Sequence, residues 1–91
     1  MFAVLTLILS LSADAGPKRM EWKVDGIKRE ALVEVPVKSS GPAPLVFVFH
    51  GHGGTMQNAH RRMALHKEWP EAVVVYMQGI PTPGQLTDPE G

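Results

Sequence analysis

His50-Gly51-His52-Gly53-Gly54 is the densest grouping in this chain of residue types that can do chemistry. Three glycines in five positions let the main chain approach a ligand closely and adopt φ values that side chains resist. The histidines add imidazoles, and His50-x-His52 together with His60 suggests zinc. A zinc site needs three or four converging ligands, usually backed by carboxylates, and the neighbouring residues offer no such set. Three of the four histidines therefore read as loop and surface residues, and neither metal nor cofactor is expected. Gly51-His52-Gly53-Gly54 is also not a phosphate-binding P-loop, because the Gly-Lys-Ser/Thr ending is missing. An anion nest at the start of a following helix stays open on general grounds. No Gly-x-Ser-x-Gly occurs, so no strained strand-to-helix elbow presents a serine nucleophile.

The elements that must position this loop are legible on both sides of it. Leu45-Val46-Phe47-Val48-Phe49 is a continuous apolar run and reads as a strand buried on both faces. Thr55 can cap a helix running to about Lys67. Met56, Ala59, Met63 and Ala64 would form its core face, with Gln57, Asn58, Arg61, Arg62 and Glu68 opposite. Trp69-Pro70 ends that helix. Ala72-Val73-Val74-Val75-Tyr76 is a second buried strand, so strand, helix and strand predict a right-handed crossover joining a parallel pair. Upstream, Met20, Trp22 and Val24 alternate with Glu21, Lys23 and Asp25. Asp25-Gly26 is a favoured two-residue turn. Ala31, Val33, Val35 and Val37 then share a face, with Glu30, Glu34 and Lys38 opposite. Residues 20–37 thus predict an antiparallel hairpin with one wet face. A proline-rich connection at 39–44 leads to the next strand, and loop follows Gly79.

Composition narrows the class of partner. Nine basic and nine acidic side chains balance, which gives no support for nucleic acid or an acidic membrane surface. The absence of cysteine excludes a disulfide scaffold and a thiolate metal site. Ninety-one residues allow one small domain. Residues 1–15 read as a signal peptide: an apolar stretch at 2–11, then Ala13-Asp14-Ala15 matching the small-x-small cleavage rule. No Lys or Arg precedes the stretch, which is too short to span a bilayer. Cleavage between Ala15 and Gly16 would leave residues 16–91 as the mature chain, extracellular or periplasmic and with no membrane contact.

Pro44-Leu45-Val46-Phe47-Val48-Phe49-His50-Gly51-His52-Gly53-Gly54-Thr55 and Val73-Val74-Val75-Tyr76-Met77-Gln78-Gly79 resemble the polyhydroxybutyrate depolymerase and feruloyl esterase group. The element order also resembles the opening of an α/β-hydrolase. The resemblance implies an α/β fold comprising the N-terminal part of such a domain, an incomplete one. It implies a secreted serine esterase acting on a polyester or a plant cell-wall ester through an acyl-enzyme. In that group, His50, Gly51, His52, Gly53 and Gly54 form the oxyanion loop, with the His52 N–H as donor and Gly53 beside it. His52 stands where Cys or a small residue is frequent, and Met77 where Pro is frequent. The nucleophile, acid and base of the group come later in the chain than any residue here, so no catalytic residue is assigned. His50, at a strand end, reads not as the base but as a residue that hydrogen-bonds neighbouring backbone and fixes the loop. Two other readings stay open. One is a non-catalytic secreted binding module, and the other is a metal- or anion-binding module built on the histidines and glycines.

Overall fold

A computed structural model describes residues 16–36 and 41–83. Residues 1–15, where a signal peptide is expected, Val37, Lys38, Ser39, Ser40 and residues 84–91 lie outside the described residues. The first two strands, β1 (Lys18–Val24) and β2 (Ile27–Glu34), form the expected antiparallel hairpin. Its turn is Asp25-Gly26, with φ of 51° and 77°. Both central residues take positive φ, as the tight turn matching strand twist requires.

Strand β3 (Leu45–Phe49) leads through loop 50–55 into helix α1 (Met56–Met63). A single helical turn α2 (Leu65–Glu68) and strand β4 (Val73–Gln78) follow. The four strands make one mixed sheet in the order β1-β2-β4-β3. β3 and β4 are parallel, so the helical segment is the crossover between them. β4 also pairs antiparallel with β2, which welds hairpin and crossover into one sheet.

The core lies on the helical side of this sheet. Val74 and Tyr76 of β4 are fully buried there, against Val48 of β3 and Met56 and Ala59 of α1. Leu32, Val46 and Leu65 pack around them. Thr55 caps α1 as expected, its side-chain oxygen accepting from Asn58 N–H at 3.1 Å.

Three expectations are corrected. First, β3 is not buried on both faces. It is the edge strand, and Leu45, Phe47 and Phe49 are 60%, 52% and 67% exposed. Alternation puts these three on the face away from α1, where no described element covers them. Met20, Trp22 and Val24 on the same face are exposed as well, while Ala31 and Val33, on that face of β2, are buried as expected. The supposedly wet side carries Leu32 and Glu34, paired with Tyr76 and Val74 and turned toward the helices. Second, no continuous helix runs to Lys67. Ala64 adopts the left-handed conformation, φ 44° and ψ 42°, and splits α1 from α2. Third, Met63 is not core but 55% exposed.

Candidate functional site

Phe49 and Met77 are register partners, so β3 and β4 end side by side and release His50 and Gly79 next to one another. In open α/β sheets ligands bind outside the carboxyl ends of parallel strands. A cavity of about 360 Å³ lies at that place, walled by residues 50–54 on one side and Gln78–Thr82 on the other.

The loop owes its shape to a turn and an imidazole strut. Gly54 N–H donates to Gly51 O at 3.0 Å, with Gly53 at φ +75°. Positive φ at the third position is what a type II turn demands, and glycine meets it without strain. His50 Nδ1 lies 2.8 Å from Gly51 O, while Gly79 N–H donates to His50 Nε2 at 2.9 Å. Nε2 is therefore the acceptor, and Nδ1 carries the proton and donates to Gly51 O. Both ring nitrogens are engaged in backbone hydrogen bonds that tie the loop to the end of β4.

Gln78 completes the tie. Its Oε1 accepts from Met56 N–H at 2.8 Å, satisfying one of the donors left over in the first turn of α1. Its Nε2 reaches His50 Nε2 at 3.2 Å and donates to Gly79 O at 3.1 Å. The resemblance quoted Gln78 and Gly79 without giving them a task; the structure makes them the loop's anchor. A Cβ on Gly79 would stand 3.2 Å from His50 Cε1 and Nε2. Gly79→Ala is accordingly expected to displace the His50 ring and destabilise by about 1–3 kcal/mol. Urea unfolding and the His50 ring shifts in NMR check this, and unchanged values in both would refute the strut.

His60 joins neither His50 nor His52. It belongs to a second cluster, with Glu34 and His66, that the sequence reading missed. His60 Nε2 is 2.6 Å and His66 Nε2 is 3.5 Å from Glu34 Oε2. The two imidazoles stack at 4.5 Å with 16° between planes. Beneath them Tyr76, fully buried, accepts from His66 N–H at 3.2 Å. It lies 2.7 Å from His66 Nδ1, to which its hydroxyl hydrogen is therefore directed. Burial holds the His66 pKa below its ordinary value, opposed by the nearby Glu34 carboxylate. Histidines 60 and 66 are thus half-buried and partnered, which corrects the surface reading.

The break at Ala64 creates this cluster. On an unbroken helix residues six apart lie roughly 240° around and about 9 Å along the axis, too far for rings to stack. The left-handed residue turns the chain so that His66 folds back beside His60. No periodicity signals such a break, because alanine is the best helix former and rarely takes positive φ.

No protein-family profile and no curated protein matches the chain. A solved structure does: a bacterial heroin esterase, with a TM-score of 0.60 at 17% identity, over 97% of this chain and 31% of that one. The likeness is one of fold. The mixed four-stranded sheet with its helical crossover is compatible with part of an α/β-hydrolase. The chain spans about a third of the esterase's length. Among the described residues, no helix is long and apolar enough to cross a membrane.

Proposed function

We propose that this chain supplies the carbonyl-oxygen binding loop of a secreted carboxylic-ester hydrolase of the polyhydroxybutyrate depolymerase and feruloyl esterase kind. One observation carries the reading: loop 50–54 sits at the carboxyl end of a parallel strand, cavity-facing and braced from behind by His50 and Gln78. The fold likeness to an esterase supports it. Bracing matters because oxyanion donors work by being fixed before charge develops, with no reorganisation during reaction.

In this reading the main-chain N–H of His52, with Gly53 adjacent, faces the ester's carbonyl oxygen. A serine oxygen from a part of the enzyme with no counterpart in this chain attacks the carbonyl carbon, giving its proton to a histidine base. The carbonyl π pair moves onto oxygen, and the loop holds the resulting oxyanion. Collapse expels the alcohol, which takes the proton back from the base. Water then cleaves the acyl-serine by the same path. The substrate is a polyester or a plant cell-wall ester. Residues 1–15 direct export and leave at the Ala15–Gly16 bond.

The test joins residues 16–91 to the remaining part of a complete esterase of this fold and measures p-nitrophenyl acetate and feruloyl ester turnover. The folded chimera is expected to turn over ester. The chain by itself is expected to show none above background, because an oxyanion site stabilises charge that a nucleophile must first create. A folded chimera without turnover, or activity in the isolated chain, defeats the reading.

A further inference from the structure

Glu34 pairs with Val74, four residues before the Gln78 that anchors the 50–54 loop, and the ester chemistry makes no use of the cluster that Glu34 forms with His60 and His66. Three elements contribute to it: β2 gives the carboxylate, α1 one imidazole and α2 the other. One ligand atom from each of the three side chains lies within 4.8 Å of the other two, and both Nε2 atoms are near Glu34 Oε2. Two imidazole nitrogens and one carboxylate oxygen form a donor set suited to zinc and its neighbours, with a fourth position left for water.

We propose that Glu34, His60 and His66 bind a divalent transition-metal ion of the zinc class, which fastens the helical crossover to strand β2.

Four observations support it. The donor spacings of 2.6 and 3.5 Å bracket the roughly 3.3 Å expected between ligands about 2.0–2.1 Å from a tetrahedral zinc. Adjustment of under an ångström on each side brings them into range. Next, the Glu34 side chain is only 14% exposed, and its close polar neighbours on the helical side are imidazoles. A dication would neutralise a carboxylate held out of bulk water. Third, His66 already has the outer partner that metal-bound histidines require, since the buried Tyr76 hydroxyl meets its Nδ1 at 2.7 Å. Finally, the cluster opens on both sides. A cavity of about 420 Å³ is lined by Glu34 and His66, and another of about 500 Å³ by His60 and His66. These give an ion a route in and a water ligand a place to sit.

Binding has a defined structural consequence. Near-parallel rings do not aim both Nε2 lone pairs at one point, so the His60 ring must turn while Tyr76 keeps His66 in place. At His66 the ring proton passes from Nε2 to Nδ1, which then donates to the Tyr76 oxygen, and the tyrosine hydrogen turns away. The simplest rival to the metal site is a cluster held by hydrogen bonds alone.

The experiment titrates zinc sulfate into the full chain, folded as judged by far-UV circular dichroism. Calorimetry and thermal unfolding are the readouts. One equivalent is expected to bind and to raise Tm, because a ligand selective for the native state stabilises it. Glu34→Gln and His66→Ala are expected to abolish the Tm rise. Tyr76→Phe, which keeps the ring and removes the outer partner, is expected to weaken binding about 10–100-fold. Nitrogen-15 NMR of the wild-type imidazoles needs no variant: zinc should move the Nε2 resonances of His60 and His66. Absence of binding, equal binding by Glu34→Gln, or unmoved His60 and His66 resonances overturns the proposal. So does loss of binding in His52→Ala with retention in His66→Ala, which would transfer the metal to the glycine loop. None of these readouts involves ester turnover, so the metal site and the hydrolase reading fail independently.

Discussion

His52→Pro is expected to lower kcat by about 10²–10³-fold in a chimera that carries this chain's loop in a working esterase, while His52→Ala is expected to be mild. The contrast isolates a single hydrogen. Alanine keeps the main-chain N–H and discards the imidazole; proline discards the N–H. Usually a proline substitution is ambiguous because it also disturbs backbone geometry. Here position 52 is the second residue of the turn closed by Gly54 N–H to Gly51 O. That is the position where proline's fixed φ suits type I and II turns, and Gly51 before it tolerates the extended backbone proline imposes. The loop should therefore survive, and KM should move less than kcat. Equal behaviour of the two variants in a folded chimera would show that the His52 N–H is not the donor.

Tyr76→Ala is expected to cost about 3–5 kcal/mol, the range for truncating a large aromatic in a core. Tyr76 is 0% exposed in the strand that joins both halves of the sheet. Its ring lies edge-on to both His60 and His66, with centroids at 5.0 and 5.8 Å. Truncation leaves a void against Val48, Met56 and Ala59 and strips His66 of its hydroxyl partner. A chain this small buries only about 60% of its unfolded surface, so a loss of that size should abolish cooperative unfolding. Circular dichroism against urea checks it. A cooperative transition with its midpoint little changed would show that Tyr76 does not hold the core.

Much of this architecture could be read from short-range chemistry. Asp25-Gly26 announced its hairpin because few dipeptides accept two positive φ values. Thr55 announced the helix start because a hydroxyl there satisfies a stranded N–H. The valines of β4 announced a strand because β-branched side chains fit a pleated surface. What stayed hidden depended on which face meets which. Alternation in 20–35 separates apolar from charged residues correctly, yet the helices settle on the side bearing Leu32 and Glu34. The β3 run looked like a central strand, but order within a sheet is a long-range property, and β3 lies at the edge. His50 was legible as a loop-fixing residue. Its partners Gln78 and Gly79 were not, since they arrive from the far end of the crossover. Glu34, His60 and His66 were illegible for the same reason, made worse by a left-handed alanine that no residue preference foretells.

The place of β4 between β2 and β3 has a consequence for how the chain emerges from the ribosome. Leu32 pairs with Tyr76, 44 positions later. At about 5–20 residues per second, β2 waits roughly 2–9 s for its inner neighbour to be made. The β1–β2 hairpin, closed by its own turn, can form in about 1–10 μs. Throughout that interval the nascent chain therefore presents a finished hairpin with one unsatisfied edge, followed by the apolar β3. Ribosome-associated holdases, or translocation in an unfolded state, would have to cover that interval. Slowing translation between codons 50 and 72 should lengthen it and lower the yield of folded protein.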